Sequence, residues 1–358
     1  MITPFVTTLS LNFYSLFFFA YFSLSIISAL YVHNKNPKLD RVMFFAFGIS
    51  LLLFTLCRPL PLSRDDAAYI NIAKSICALN NCGITLQGDR DWLWYLGISL
   101  LKSIASNERA LMALATVSVV VKLFVIDRLC KQKLLALILL IPLIYIQYDF
   151  TQLRAGFAIS WYLIGILFLI KHRLLLSSSF MGSNFILHTQ ALPSIVLLPI
   201  AWLNRNKWFL PTSVILFACL IYAGLFPSLS FIEKLHIFRT GANPYLAMTA
   251  SGEYVNVKVF PLGYLPILGY GLWLCWGVNP QKDWLIKSVG ASIALAILLA
   301  WFLSFNPTTQ TRLFEFYIAP LVLLAGNIGS SKAKLIGTLI LASILYFRLE
   351  WLHDWILG

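Results

Sequence analysis

The sequence predicts an all-α, polytopic integral membrane protein with about twelve spanning helices and two long loops on the outer face. Three observations carry that prediction. Of the 358 residues 59% are hydrophobic and only 11% charged, with a mean hydropathy of +0.81; a soluble domain uses about 25% charged residues to coat itself. Apolar runs of bilayer-crossing length recur along the chain, each closed by a short polar loop. The runs are continuous rather than alternating, which excludes a β-barrel.

The spanning segments fall at 8–32, 42–57, 110–127, 133–147, 154–170, 174–187, 190–203, 208–226, 260–277, 284–304, 313–328 and 333–347, and residues 1–358 form one transmembrane domain. The first run is too long for a signal-peptide core and has no basic segment before it, so it is retained as a helix. Alternate loops carry the bulk of the short-loop positive charge: Lys35, Lys38 and Arg41; Arg128, Lys131 and Lys133; Lys171 and Arg173; Arg205 and Lys207; Lys282; Lys332 and Lys334. The positive-inside rule assigns that set to the cytoplasm. The opposite face receives the long loops 58–109 and 227–259, two short ones around 148–153 and 305–312, and most of the acidic residues. Counting "WLWYLGISLLKSIAS" (92–106) as a span would invert everything before it. It reads instead as an interfacial or re-entrant helix held by Trp92, Trp94 and Tyr95.

The net charge of +13 does not indicate nucleic acid, because the basic residues are spread in twos and threes between apolar runs. No cysteine spacing suits zinc, and no metal is expected. Only Cys77 and Cys82 share one polar loop, where a disulfide is one alternative.

A few charged residues are not needed for topology. Arg154 opens a helix after "QYDFTQL" and Arg312 another after "NPTTQT", both on the outer face. Burying arginine near hydrocarbon costs roughly 2.5–3.5 kcal/mol on insertion scales. A guanidinium at a helix N-terminus suits bidentate capture of phosphate; a single one also serves as a snorkelling anchor. Two of them, each in a short polar outer loop, favour the anion reading. His188, at the tip of a short hairpin in "SNFILHTQALPS", is a candidate general base, with a polar contact between helices as the alternative. Asp65 and Asp66, followed by Tyr69 in "RDDAAY", either open a helix with first-turn carboxylates, hold a metal-bound sugar phosphate, or take a proton from a hydroxyl. "LQGDRDWLWYLG" sets Asp89, Arg90 and Asp91 before an aromatic cluster in which Trp92 and Trp94 are either a sugar platform or interface anchors. The second long loop supplies Arg239, either a third anion ligand or a solvated arginine, among Glu233, His236 and Glu253; a loop of that length without structure is often a lid or binding loop. Glu315 lies one helical turn beyond Arg312 on the same face, placed to orient it.

Taken in order, "RDDAAY", "GDRDWLWYLGISLLKSI", "LRAGFAISWYLIGILFLIKHR", "SSSFMGSNFILHTQALPSIVLLPIAWL" and "TQTRLFEFYIAPLVLL" resemble the EpsG family of Wzy-like polysaccharide polymerases, over about residues 60 to 330. In that family an arginine opens a helix, a short basic cytoplasmic turn follows, and a histidine sits in the next hairpin. A Gln or related polar residue often follows the arginine, where this chain has Ala155; Thr189 follows the histidine. The resemblance implies Asp66, Tyr69, Arg154, His188 and Arg312 as site residues. It implies polymerisation of undecaprenyl-diphosphate-linked oligosaccharide repeat units into O-antigen or capsular or exopolysaccharide, at the periplasmic face of the bacterial inner membrane and without a cofactor. The implied partners are the lipid-linked donor and acceptor glycans, the bilayer and a chain-length regulator, and not nucleic acid. On this reading Arg154, Arg312 and Arg239 clamp the diphosphate, and His188 is the base with Asp66 as second choice. Three alternatives stay open. A GT-C type glycosyltransferase would use a polyprenyl-phosphate sugar, the acidic pair and often a metal. An O-antigen ligase would hand the glycan to a lipid A core. A flippase would need charges lining a path, and apart from Lys122 almost none lie at mid-membrane depth.

Overall fold

A computed structural model describes residues 20–30, 36–60, 63, 65–78, 91–204, 206, 208–223, 225, 264–275, 283–303, 307–327 and 332–347. Their regular structure is entirely helical, with no strand among the described residues. The chain divides into two compact units, Met1–Ser194 with Val322–Gly358, and Ile195–Leu321, where the hydropathy pattern alone suggests one domain.

The first unit begins with α1 (Ala20–Leu30), α2 (Pro37–Leu56), α3 (Asp66–Ser75), α4 (Trp92–Lys102) and α5 (Asn107–Leu129). α6 (Lys133–Leu140) then runs on as a π-helix, Ile141–Asp149, before α7 (Leu153–Ile170), α8 (Leu174–Leu187) and the 3-10 turn Thr189–Val196. The second unit holds α9 (Leu197–Leu203), α10 (Phe209–Tyr222), α11 (Leu265–Cys275), α12 (Trp284–Phe302) and α13 (Pro307–Ile318). After α14 (Leu321–Ala325), α15 (Lys332–Phe347) packs on α6 and the π-helix of the first unit. Each predicted apolar segment overlaps at least one of these helices. Four of them, α2, α5, α7 and α12, are long and apolar enough to cross a membrane.

α4 corrects the role expected of Trp94 in the segment 92–106. At about 1.5 Å per residue its eleven residues cannot cross a hydrocarbon layer of about 30 Å. Trp94, however, is not an interface anchor. It is 1% exposed, with its ring 6.3 Å from that of Tyr69 and 6.2 Å from that of Phe157. Neither that burial nor that packing leaves Trp94 a face for a sugar. Trp92, by contrast, is exposed.

Small residues let the helices approach, as expected where lipid removes the hydrophobic drive between them. Gly165 of α7 admits Met181 of α8, and the Ser177 hydroxyl donates to the Gly165 carbonyl at 2.8 Å. Ser118 of α5 and Ser160 of α7 share a hydrogen bond of 2.8 Å. α2 turns Phe44, Gly48, Leu51 and Thr55 inward and leaves Val42, Phe45, Ile49 and Leu53 exposed, an outward apolar face that suits a lipid solvent. In the second unit α12 packs against α9, α10, α11 and α13, and Asn204 donates to the Lys287 carbonyl at 3.0 Å.

At the start of α7 the chain folds back on itself. A Cβ added at Gly156 would lie 2.8 Å from the Tyr148 carbonyl oxygen and 2.9 Å from Asp149 Oδ1. Gly156→Ala is therefore expected to cost about 1–3 kcal/mol by overpacking, seen as a lower midpoint for heat-induced loss of detergent-solubilised protein. An unchanged midpoint would mean that the junction yields freely.

Candidate functional site

The site starts from the polar stretch 147–154, between the π-helix and α7. Its turns are wide: the Phe150 amide donates to the Tyr145 carbonyl at 2.9 Å and the Gln152 amide to Gln147 at 3.2 Å, both closing over five residues. π-type turns of this kind are frequent at functional sites. Two buried ion pairs hold the stretch in place. Lys122, in mid-helix on α5 and fully buried, sets its Nζ 2.6 Å from Asp149 Oδ1, 2.7 Å from Ser118 Oγ and 2.8 Å from the Gly156 carbonyl. A lone charge at that depth is expensive, and pairing plus hydrogen bonding is what makes it tolerable. Lys122 is thus enclosed within a network and lines no path. From the other side Arg58 places Nη2 2.5 Å from Asp66, donates through Nη1 to the Phe150 carbonyl and lies 4.5 Å over the Phe150 ring.

Held this way, Arg154 leaves the first turn of α7 with its side chain 30% exposed. Its Nη1 donates to Asp91 Oδ2 at 2.8 Å, and its guanidinium carbon lies 5.8 Å from the Tyr69 ring centroid. The second oxygen of Asp91 faces His188, with Nδ1 to Oδ1 at 4.0 Å. Burial pushes the Tyr69 phenol above its ordinary range, the Arg154 guanidinium pulls the other way, and Asp65 adds to the rise. Tyr69 is therefore a neutral hydroxyl across the physiological range. The helix that carries it is secured from α4: Lys102 donates to the Ala73 carbonyl at 2.6 Å and to that of Ile76, and Ser99 to that of Cys77 at 2.7 Å. A cation at the C-terminal carbonyls of α3 also complements its dipole.

The structure brings together Tyr69, Arg154 and His188, three of the residues expected from sequence. It corrects the expectation for Asp66. That carboxylate is 0% exposed, one oxygen taken by Arg58 and the other by the Ser63 amide at 2.8 Å. A carboxylate so enclosed and paired cannot receive a proton from a substrate without breaking the pair. Asp65 stands at the start of α3 without a side-chain capping bond. Arg312 and Glu315 belong to α13 of the second unit, where Glu315 is buried and accepts from the Tyr264 hydroxyl at 2.6 Å, a partner the spacing to Arg312 did not suggest. Arg239, Asp89, Arg90 and the whole loop 227–259 lie outside the described residues. Cys77 is disulfide-bonded; Cys82 lies outside the described residues.

Asp91 is the residue whose weight the sequence did not show. An Asp directly before an apolar helical run reads as an N-cap, and nothing local reveals that its carboxylate leaves the helix. The assembled group combines a guanidinium, a phenol, an imidazole and a bridging carboxylate. Arg154 also interacts with Tyr69, and the 30% of its side chain that stays exposed is what an anion can meet while Asp91 holds Nη1. Such a group can hold an anion and move a proton. Among the described residues no three His, Cys, Asp or Glu side chains converge as a metal site requires.

Comparison with curated proteins and with solved structures finds no match. Comparison with protein families does: residues 62–355, most of the chain and every element of the Tyr69–Asp91–Arg154–His188 group, match the EpsG family. The chain belongs to the EpsG family, a Wzy-like polymerase-type family.

Proposed function

We propose that this protein polymerises undecaprenyl-diphosphate-linked oligosaccharide repeat units into a surface polysaccharide, with the Arg154 group at the outer face of a bacterial inner membrane that the chain crosses twelve times. The observation that carries this reading is the pairing of Asp91 with both Arg154 and His188, with Tyr69 against Arg154, in a chain of this family. The bonded state of Cys77, in the first outer loop, supports the orientation, since disulfides persist in oxidising compartments. Pairing of Asp66 with Arg58 counts against the acidic pair of a GT-C type enzyme.

In the reaction a hydroxyl oxygen of the acceptor unit attacks the anomeric carbon of the donor glycan. The new C–O bond forms as the bond to the diphosphate breaks, and that electron pair leaves on the diphosphate. His188 Nε2 takes the hydroxyl proton. Arg154 stabilises charge developing on the leaving group, at the depth where a membrane-anchored diphosphate lies.

Deleting the gene in its own host, with surface glycans and lipid-linked intermediates resolved by gel and mass spectrometry, tests the reading. Complete single repeat units should remain while long chains vanish. A repeat unit lacking one sugar would instead identify a side-branch transferase. In the same host His188→Ala should leave the membrane level of the protein unchanged and stop chain growth; long polymer in that strain would reduce His188 to a contact between helices.

A further inference from the structure

Asp91 sits where a helix begins, yet its side chain does not do what aspartate does there. Its backbone carbonyl accepts from the Trp94 and Tyr95 amides at 3.0 and 3.2 Å, while its carboxylate makes no capping bond. A capping carboxylate ordinarily stabilises a helix start. The residue also stands in the left-handed region, at φ 58° and ψ 27°, which is unfavourable for residues other than glycine, though less so for aspartate than for most. Both concessions turn the carboxylate away from α4, to Arg154 with one oxygen and His188 with the other. The side chain is only 7% exposed, so little solvent screens these charges.

Two consequences follow from that placement. An incoming anion and the Asp91 carboxylate compete for one guanidinium. His188 presents Nδ1 to Asp91, which directs Nε2 away from it; a carboxylate that accepts from Nδ1–H fixes the tautomer in which Nε2 is the basic nitrogen. At 4.0 Å that contact is longer than a hydrogen bond, and catalytic hydrogen bonds often tighten only when substrate arrives.

We propose that Asp91 is a positioning residue that changes partners during the reaction: it holds Arg154 in the empty site, and when a lipid diphosphate takes the guanidinium it engages Nδ1–H of His188. This rests on the polymerase reading above. The exchange makes and breaks no covalent bond. It keeps the guanidinium neutralised before the donor binds and transfers that negative charge to the imidazole as a proton reaches Nε2. Tyr69, from α3, contributes a neutral hydroxyl beside the same guanidinium.

Asp91→Asn tests the exchange, because asparagine tolerates the same left-handed backbone but carries no charge. The full chain, reconstituted in proteoliposomes, is assayed for binding of undecaprenyl diphosphate and separately for extension of lipid-linked repeat units. Binding should tighten a few-fold, since Arg154 loses its competitor, while extension slows by about 10²-fold or more. Asp91→Glu should recover part of the extension rate. Loss of binding and extension together would make Asp91 a packing residue and overturn the proposal, as would extension at the wild-type rate. If the wild-type chain binds undecaprenyl diphosphate but extends nothing, the polymerase reading fails instead. The binding comparison then still decides: tighter binding by the asparagine variant upholds the competition for Arg154, and unchanged or weaker binding overturns it.

Discussion

Arg154→Lys should reduce chain extension by about 10²-fold while the protein accumulates normally in the membrane. Lysine keeps the positive charge and can keep the ion pair with Asp91, now made through Nη1 at 2.8 Å. What it lacks is the planar fork. With Nη1 committed to Asp91 and part of the side chain still exposed, the guanidinium can hold Asp91 and still address an anion; a single ammonium cannot match that geometry. Loss of one well-aimed donor to developing negative charge typically costs about 10²–10³ in rate. The measurement is polymer length and amount on surface glycans, with the protein level followed by immunoblot. Polymer of normal length and amount would remove Arg154 from the reaction and leave it as an interfacial anchor.

Lys122→Met should have the largest effect on folding. It leaves Asp149, with 0% of its side chain exposed, without its cation, and removes the donor that ties the Gly156 carbonyl to α5. Breaking a buried pair by removing one partner costs about 3–5 kcal/mol, whereas replacing both partners with apolar groups is often neutral. The single variant should therefore fall to low levels in the membrane, and the double variant Lys122→Met with Asp149→Leu should return much of the protein. Wild-type levels and thermal midpoint in the single variant would show that the pair does not hold the junction. The double variant separates two roles for the pair. If it accumulates but extends chains slowly, the network positions Arg154 as well as stabilising the fold.

The helical class was legible from the amino-acid order alone, because hydropathy is a local property and lipid penalises every stray polar group. For the same reason that order pointed to Arg154 and His188: in an oily chain, a polar side chain that topology does not need must have another use. It also marked the carboxylates at Asp66 and Asp91, but not what each one does, and gave Asp149 no role. Only the tertiary structure decided that. Asp149 meets Lys122 from α5, Asp66 meets Arg58 from the end of α2, and Asp91 meets both Arg154 and His188. Ion pairing is settled by approach through space between helices far apart in the chain. No spacing within one stretch could have shown that two of the three aspartates hold the polar turn in place while the third faces the group that it presents.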